Sequence, residues 1–188
     1  MNYSELLKNR RAIRDFQNRE VPIEIVKAII QDTTLAPTAG NGQPCKFIII
    51  QDSSLIKQLS DESKRNLIED IQRNPDSPLS KYADILKTEA FNAFYNAPCL
   101  ILLAGPKALN SLIVDCALTA AYFMFSATER GLGTCWIALG SNIKDPALLE
   151  KIGLPDDYAI VAPLVLGYPV AIPEASERHA PEILKIIS

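Results

Sequence analysis

The sequence predicts one domain in which four short β-strands are interspersed among helices, and three observations support this prediction. The chain has 188 residues, of which 48% are hydrophobic, so it can bury a sizeable core without disulfides or metals. Four short apolar runs alternate with longer stretches of helical periodicity. No internal repeat, linker or low-complexity segment divides the chain, so we expect residues 1–188 to form a single domain.

Composition and charge argue against several classes of partner. The 19 basic and 22 acidic residues give a net charge of -3, which does not suit nucleic acid or anionic lipid as the main partner. No apolar run reaches the roughly 18 residues of a membrane span. The first residues show no basic segment followed by an apolar one, as a secretory signal would. We therefore expect a cytoplasmic protein.

Cysteine and histidine usage argues against metal and triad chemistry. The four cysteines, Cys45, Cys99, Cys116 and Cys135, contain no C-x-x-C pair, and His179 is the only histidine. Each cysteine lies in an apolar run and is expected to be a small buried hydrophobe, with Cys135 the first candidate for an exception. The chain also lacks G-x-G-x-x-G and Walker patterns, so the sequence supports neither a Rossmann fold nor an NTPase.

In the first quarter of the chain the patterns predict two helices and a strand. An Asn2–Glu5 capping box begins a short helix that ends near residue 8 or 10. Pro22 suits a first helical turn, and apolar residues at helical spacing predict a helix over 22–35. The β-branched apolar run predicts a first strand over 45–51.

The middle of the chain predicts more helix and a buried strand. Ser53 caps a helix, and the strongly charged stretch 61–73 is expected to be a surface or lid element. Residues 79–95 are amphipathic and end in several aromatic side chains, which we expect mainly in the core. Residues 98–104 are apolar on both faces, so they predict a strand in the centre of the sheet.

The longest predicted helix covers 109–130 and is apolar on almost every side. Such a helix must be covered on every side, whereas one sheet covers only one flank. A partner subunit is the economical cover for the rest, although neighbouring helices of the same chain would serve as well.

The last third of the chain predicts two strands and two short helices. Residues 134–139 and 158–166 read as strands, and Pro163 within the second predicts an irregularity or an edge. A cap at Asp145 begins a short helix that stops at Gly153. A further helix is expected at about 181–187.

Three arginines lie within five positions near the amino end, at Arg10, Arg11 and Arg14. If this segment ends a short helix, the first and third lie on one face. Guanidinium groups suit phosphate because their planar fork donates two hydrogen bonds at once. These residues alone also allow a solvated basic patch, or arginines paired with Asp15 and Glu20.

A loop rich in glycine and proline follows at residues 36–44. Its uncharged amide and hydroxyl groups suit hydrogen bonding to the edge of a heteroaromatic ring. A plain connector between helix and strand is equally compatible with this composition.

Four segments together resemble the FMN-dependent nitroreductase family. Residues 10–16 resemble its "RRSxRxF" opening, and residues 36–47 resemble its "APSAGNxQPWxF" segment. Residues 131–137 are similar to its "GLGxCWIG" turn, and residues 166–169, with Arg178 behind them, to its terminal "LGYP…R" pattern. The matches keep the family's order and spacing from about residue 5 to 180.

The resemblance implies an α+β fold with a mixed, largely antiparallel sheet of four to five strands flanked by helices. It also implies an intertwined homodimer that holds two FMN molecules at its interface. Such a protein transfers hydride from NADH or NADPH, through the flavin, to a nitroaromatic, a quinone or a similar small electrophile. The flavin N5 carries the chemistry, so no catalytic side chain is expected.

The resemblance also implies the cofactor-binding positions. Around the phosphate and ribityl chain it places Arg10, Arg11, Ala12, Arg14 and Arg178. From the other subunit it brings Pro37, Thr38, Ala39, Asn41 and Gln43. Along the flavin ring it places Trp136, Ile137 and Ala138, with a backbone N–H of this turn near N5.

Three positions depart from the family pattern. Ala12 replaces the usual serine, and the lost hydrogen bond of about 0.5–1.5 kcal/mol can be offset by the arginines. Cys45 replaces a common tryptophan and Ala138 a common glycine, which reshapes the pocket and leaves the acceptor open. Two alternatives remain: the same fold and flavin used as a dehalogenase or flavin-consuming enzyme, or a non-catalytic FMN-binding dimer.

Overall fold

The computed structural model describes residues 1–187, and a four-stranded antiparallel sheet forms its centre. The strands are β1 (Lys46–Ile50), β2 (Cys99–Pro106), β3 (Gly133–Trp136) and β4 (Tyr158–Gly167), in the spatial order β1-β2-β4-β3. The helices are α1 (Tyr3–Asn9), α2 (Ile23–Thr33), α3 (Ser53–Arg73), α4 (Ala83–Lys87), α5 (Leu112–Glu129) and α6 (Pro146–Lys151). The predicted α+β fold is confirmed.

The two central strands separate two apolar clusters. Along β2, Ile101 and Leu103 pack on the side that holds α2 and α5, whereas Leu100 and Leu102 pack on the side that holds α3. This alternation follows from the two-residue period of a strand. All four side chains are completely buried, as the sequence predicted for a strand that is apolar on both faces.

A register shift interrupts the pairing of β2 with β4. Leu103 pairs with Ala162 and Ala104 with Ile160, so Val161 is an extra residue on β4. Pro163, two residues further along β4, has no N–H to donate to the ladder, so a proline and a register shift occur close together in this central strand. The predicted irregularity is therefore present.

Helix α5 is buried on one side only. Its inner face, which includes Cys116, Ala120 and Phe123, is fully buried against the sheet and α2. On the outer face, by contrast, Ile113 is 70% and Val114 61% exposed. By length and composition the helix could cross a membrane, and 44% of it is buried within the fold.

One prediction for the middle of the chain holds only in part and another is wrong. The charged stretch 61–73 is the second half of α3: Arg65 and Arg73 are exposed as expected for a surface element, whereas Glu62, Ser63 and Lys64 are buried. Residues 79–95 do not form one helix: a 3₁₀ turn at Pro78–Tyr82 leads into the five-residue α4, and the chain is then irregular up to β2.

The carboxyl-terminal prediction is also wrong. Residues 181–187 form no helix, and residues 170–187 are exposed throughout and form neither helix nor strand. Apolar side chains in this tail, including Leu184 at 90% exposure, contact nothing that would induce a helix. A short apolar segment gains little from helix formation unless its apolar face is buried.

We predict that Leu102→Ala and Leu103→Ala each lower the free energy of unfolding by about 2–5 kcal/mol, because each opens a cavity on one face of β2. Leu109→Ala serves as the control, since Leu109 is 42% exposed and its truncation should change stability by only about 0.5 kcal/mol. Urea denaturation followed by circular dichroism measures all three. Equal losses in the three variants would contradict this description of the core.

Candidate functional site

The arginine-rich segment is extended rather than helical. Helix α1 ends at Asn9, and Arg10 already has a β conformation. Ala12 then forms a parallel bridge with Thr134 of β3, and the Ile13 N–H donates to the Thr134 carbonyl over 2.9 Å. The helical arrangement predicted for this segment is therefore wrong, because backbone pairing to the edge of the sheet outweighs local helix propensity.

Extended geometry sorts the three arginines onto two sides, since successive side chains of an extended chain point in opposite directions. Arg10 and Arg14 lie near the buried Cys135. Burial raises the pKa of the Cys135 thiol, and the positive charges of Arg14 and Arg10 oppose this increase. Within residues 1–187 neither guanidinium forms a salt bridge. Arg10 and Arg14 are thus two neighbouring cations that no carboxylate of residues 1–187 neutralises.

Arg11 lies on the opposite side. Its Nη1 donates to the Lys8 and Arg10 carbonyls, at 2.5 and 2.9 Å, and so caps the end of α1. Its Nε is buried without a hydrogen-bond partner in the described chain. The structure thus brings together two of the three predicted arginines and gives the third a local role.

A cleft of about 480 Å³ opens beside Arg14. Its lining combines the turn after β3 with the 3₁₀ turn before α4. The lining residues are Arg14, Pro78, Leu79, Lys81, Tyr82, Tyr95, Cys135, Trp136, Ile137, Ala138 and Leu139. The predicted ring-contacting residues of this turn therefore lie in one cleft with a predicted phosphate-binding arginine.

Tyr95 contributes a feature that the sequence did not reveal. Its backbone, like that of Asn96, has a positive φ, which is uncommon outside glycine. The ring of Tyr95 faces the Arg14 guanidinium at 5.9 Å and meets Phe91 edge-on. The strained backbone therefore holds an aromatic ring at the wall of the cleft beside the cation.

A stripe of polar side chains on α3 holds the cleft loops in place. Ser60 accepts from the Ala93 N–H at 2.8 Å, and Ser63 donates to the Leu139 carbonyl at 2.6 Å. One turn further, Asn66 donates to the Asn142 carbonyl at 2.8 Å. The three positions share one helical face. The sequence analysis missed them because polar residues on a charged helix usually face solvent.

Asp70 extends this stripe at its carboxyl end. A hydrogen bond from Asn142, with a second from Lys144, lowers the pKa of the Asp70 carboxyl. Because the pKa is lower in the folded state, this carboxylate stabilises the fold above its ordinary pKa. The contribution is lost as the pH falls through the lowered value.

The glycine- and proline-rich loop is a shaped element that stands apart from the cleft. Gly40, Asn41 and Gln43 all have positive φ values, near 50°. The Ala39 N–H donates to Oδ1 of the buried Asp115 at 2.9 Å, which anchors the loop to α5. Non-glycine residues in this conformation are concentrated at functional sites, which favours a binding role over a plain connector.

The remaining predicted positions of this loop and the tail do not reach the cleft within one chain. The loop residues are Pro37, Thr38, Ala39, Asn41 and Gln43, and all but the half-buried Thr38 are exposed. Arg178 lies in the exposed tail. None of the six is among the residues that line the cleft in the described part of this chain. No group of three or more His, Cys, Asp or Glu that could hold a metal occurs within residues 1–187.

A protein-family model described as the nitroreductase family matches residues 7–168. The chain belongs to the nitroreductase family. Among curated relatives, this family member is 25% identical over 190 residues to an Archaeoglobus fulgidus protein provisionally named NADH dehydrogenase/NAD(P)H nitroreductase, with 95% of this chain and 93% of the relative aligned. It is also 24% identical over 170 residues to an iodotyrosine deiodinase of Thermotoga neapolitana, covering 88% and 87% of the two chains.

Solved structures share the fold of this family member. A Bacteroides fragilis nitroreductase with bound FMN superposes with a TM-score of 0.82, at 21% identity and with full coverage of both chains. At this identity the likeness establishes the fold. The nitroreductase fold expected from the four sequence motifs is thus confirmed.

We predict that Ser63→Ala lowers the free energy of unfolding by about 1–3 kcal/mol, because the Leu139 carbonyl loses its donor in a partly buried setting. Ser54→Ala, at an exposed position near the start of α3, is the matched control and should change stability by about 0.5 kcal/mol or less. Thermal and urea denaturation compare the two. Indistinguishable effects would show that Ser63 does not hold the turn.

Proposed function

We propose that this chain is an FMN-dependent oxidoreductase that passes reducing equivalents from NADH or NADPH to a nitroaromatic, a quinone or a similar small electrophile. The observation that carries the proposal is the pair of guanidiniums without carboxylate partners, Arg10 and Arg14, of which Arg14 lines a cleft with an apolar turn. An anionic tail attached to a flat apolar ring satisfies both halves of such a site.

The residues fit FMN by their chemistry. Two guanidiniums suit a phosphate dianion, and the turn at Trp136, Ile137 and Ala138 supplies an apolar wall for the flavin ring. When bound, FMN would supply hydride-transfer chemistry, which no side chain of this chain needs to provide.

The protein's part is to bind, to orient and to exclude water. Arg10 and Arg14 would fix one end of the cofactor, while the α3 stripe keeps the turn in position. The Ile137 N–H already donates to the Pro163 carbonyl at 2.8 Å, so it is not free for a ligand. Ala138 is the first residue of a 3₁₀ turn, and the backbone N–H groups at the start of a helix have no partner within it. We therefore assign the proposed hydrogen bond at flavin N5 to Ala138.

The loop at residues 36–44 would complete the site from a second subunit. It lies outside the cleft of its own chain, yet positive φ values at Asn41 and Gln43 give it a defined conformation that suits binding. The amide groups of Asn41 and Gln43 can reach the edge of a flavin ring only if a second copy brings its cleft next to this loop. We propose that Pro37, Thr38 and Ala39 approach the partner's flavin in the same way, and that Arg178 joins the phosphate site from the tail.

The exposed apolar surface supports the same homodimer. On the outer face of α5, Val114, Leu118 and Tyr122 recur at four-residue spacing and are 38–61% exposed. Leu35, which precedes the loop, is 76% exposed. Residues 170–187 add an exposed apolar tail. Large exposed apolar surfaces are rare on monomeric proteins and often mark interfaces, so we propose that two chains cover these faces mutually.

The free thiols also support the predicted compartment. All four cysteines are unbridged in the structure, which suits a reducing environment such as the cytoplasm. We propose this location for the protein.

The dimer leads to a test on α5. Val114→Asp should convert the dimer to a monomer, because a carboxylate would be buried in the apolar interface without a partner. Ile85→Asp on α4, where Ile85 is 46% exposed, is the control and should leave the assembly unchanged. Light scattering after gel filtration gives the mass, and circular dichroism checks the fold. A monomeric wild-type protein would refute the interface.

The phosphate site leads to a test on the arginines. The purified protein should be yellow, and Arg10→Ala and Arg14→Ala should each weaken FMN binding by about 10- to 150-fold, corresponding to about 1.5–3 kcal/mol for a charge-assisted hydrogen bond. Arg73→Ala on α3 is the control. Flavin fluorescence titration measures the affinities. Wild-type protein that cannot be reconstituted with FMN would eliminate the proposal.

A variant of Arg11 tests whether its side chain still caps α1 when FMN is bound. Because its side chain caps α1, Arg11→Ala should reduce stability while changing FMN affinity by less than about threefold, within about 0.6 kcal/mol. The same titration and a thermal melt give both values. A loss of affinity as large as that for Arg14→Ala would show that the side chain turns toward the phosphate on binding.

Catalysis is tested by anaerobic stopped flow with each nucleotide. We expect loss of the oxidised flavin absorbance on mixing with NADH or NADPH, and its return when a nitroaromatic or a quinone is added. Bound FMN that neither nucleotide reduces would mean a non-catalytic flavin-binding dimer, and would refute the enzymatic proposal.

A second candidate activity is reductive dehalogenation with the same flavin. The similarity to an iodotyrosine deiodinase over 88% of this chain favours considering it. Chemically reduced protein incubated anaerobically with an iodophenol would release iodide if this activity is present. Turnover of nitro compounds with no iodide released would exclude it. Loss of flavin on incubation in air would instead indicate a flavin-consuming enzyme.

A further inference from the structure

Two cysteines of the chain lie in direct contact. The Sγ atoms of Cys45 and Cys116 are 3.3 Å apart, although 71 residues separate them in sequence. Cys45 sits between the loop at residues 36–44 and β1, and it is half-buried; Cys116, near the start of α5, is completely buried. The other two thiols, Cys99 and Cys135, are buried singly.

The surroundings make the two thiols unequal. A hydrogen bond from the Cys116 thiol is the main cause that lowers the pKa of Cys45, and Thr119, whose Oγ1 lies 3.4 Å from the Cys45 sulfur, lowers it further. Burial and the negative charge of Asp115 oppose the decrease, whereas Lys46 favours it. The same hydrogen bond, together with burial, raises the pKa of Cys116.

The inequality assigns the roles in a thiol–disulfide reaction. The thiolate is the nucleophilic form, and oxidant-sensitive cysteines combine thiolate character with solvent access and a nearby second thiol. Cys45 has the first two properties and Cys116 provides the third. Cys99 lacks all three, since burial raises its pKa to about 12 and no sulfur contacts it in the described chain.

We propose that Cys45 and Cys116 form a peroxide-reactive dithiol, in which Cys45 attacks the oxidant and Cys116 closes an intramolecular disulfide. Neither cysteine belongs to the proposed set of cofactor-binding residues. The substrate class is a hydroperoxide small enough to reach a half-buried sulfur, with hydrogen peroxide as the simplest member.

The reaction balances without any other redox partner. The Cys45 thiolate displaces hydroxide from hydrogen peroxide, giving a sulfenic acid and, after protonation, one water. The Cys116 sulfur then displaces the hydroxyl of the sulfenic acid, and its proton leaves with that group as a second water. Two thiols lose two electrons and the peroxide gains them. The two sulfurs must close from 3.3 Å to the roughly 2.05 Å of a disulfide, a change of little more than about 1 Å.

The position of the pair connects it with the flavin loop. Asp115, next to Cys116, already holds the loop through the Ala39 N–H at 2.9 Å, and Cys45 directly follows the loop. A disulfide would therefore attach the loop to α5 at a second point, Cys45, in addition to the hydrogen bond at Ala39. Reduced flavins release peroxide in air, so the oxidant would arise nearby; this source alone rests on the proposed function.

The test treats the reduced full-length protein, with and without FMN, with one equivalent of hydrogen peroxide under non-reducing conditions. Peptide mass mapping should find Cys45 and Cys116 joined with the loss of two hydrogens, while Cys99 and Cys135 remain thiols. Because the peroxide is added, this result is expected even if the chain binds no flavin. Both thiols still free, a Cys45–Cys45 link between two chains, or Cys45 oxidised to sulfinic acid without a link would each overturn the proposal.

Variants separate the two roles. Peroxide consumption by Cys45→Ser should be at least about tenfold slower than by wild type, because no activated thiolate remains. Cys116→Ser should accumulate a sulfenic acid at Cys45 that a dimedone probe traps. Cys99→Ser is the matched control and should consume peroxide at the wild-type rate. Similar slowing in this control would overturn the assignment, and the wild-type mass map decides the pairing if a variant fails to fold.

Discussion

The parallel pairing of residues 12–13 with Thr134 is the interaction on which the site depends. The Ile13 N–H bonds the Thr134 carbonyl at 2.9 Å and holds the amino-terminal segment extended along the sheet edge. Gly133 makes this close approach possible, because a Cβ atom there would lie 2.6 Å from the Ile13 side chain. Extended geometry then turns Arg10 and Arg14 toward one side and Arg11 toward the other, so one backbone contact determines which guanidiniums can meet a phosphate.

The second constraint is that helix α3 supplies polar bonds in place of apolar packing on part of its inner surface. Ser60, Ser63 and Asn66 satisfy backbone groups of the loops that surround the cleft. A buried carbonyl without a donor is costly, so these bonds specify one position for the turn rather than merely adding stability. These side chains therefore fix the loops around the cleft although they are not among the residues that line it.

The structure also shows what a single chain leaves unfinished. The outer face of α5, the loop at residues 36–44 and the tail at 170–187 all lie exposed, and each carries groups suited to contacts that its own chain does not provide. Next to the loop, Cys45 contacts the buried Cys116 of the inner face of α5, and they are the only pair of thiols in contact among the described residues. The proposed dimer, the proposed cofactor and the proposed dithiol thus meet around one loop.

The sequence by itself determined the four strands, the long helix and the family, because periodicity and short motifs are local properties of the chain. It also drew attention to residues 136–138, which line the cleft. It failed where distant contacts overrode local preference. Residues 10–16 are extended because they pair with β3, and Lys64 on the charged half of α3 is buried because it donates to the Thr88 and Phe91 carbonyls. Residues 181–187 form no helix because their apolar side chains remain exposed. Only the tertiary structure separated Arg11 from Arg10 and Arg14 and brought Cys45 beside Cys116. Such juxtapositions depend on how the sheet and helices pack, and a linear pattern does not encode them at any fixed spacing.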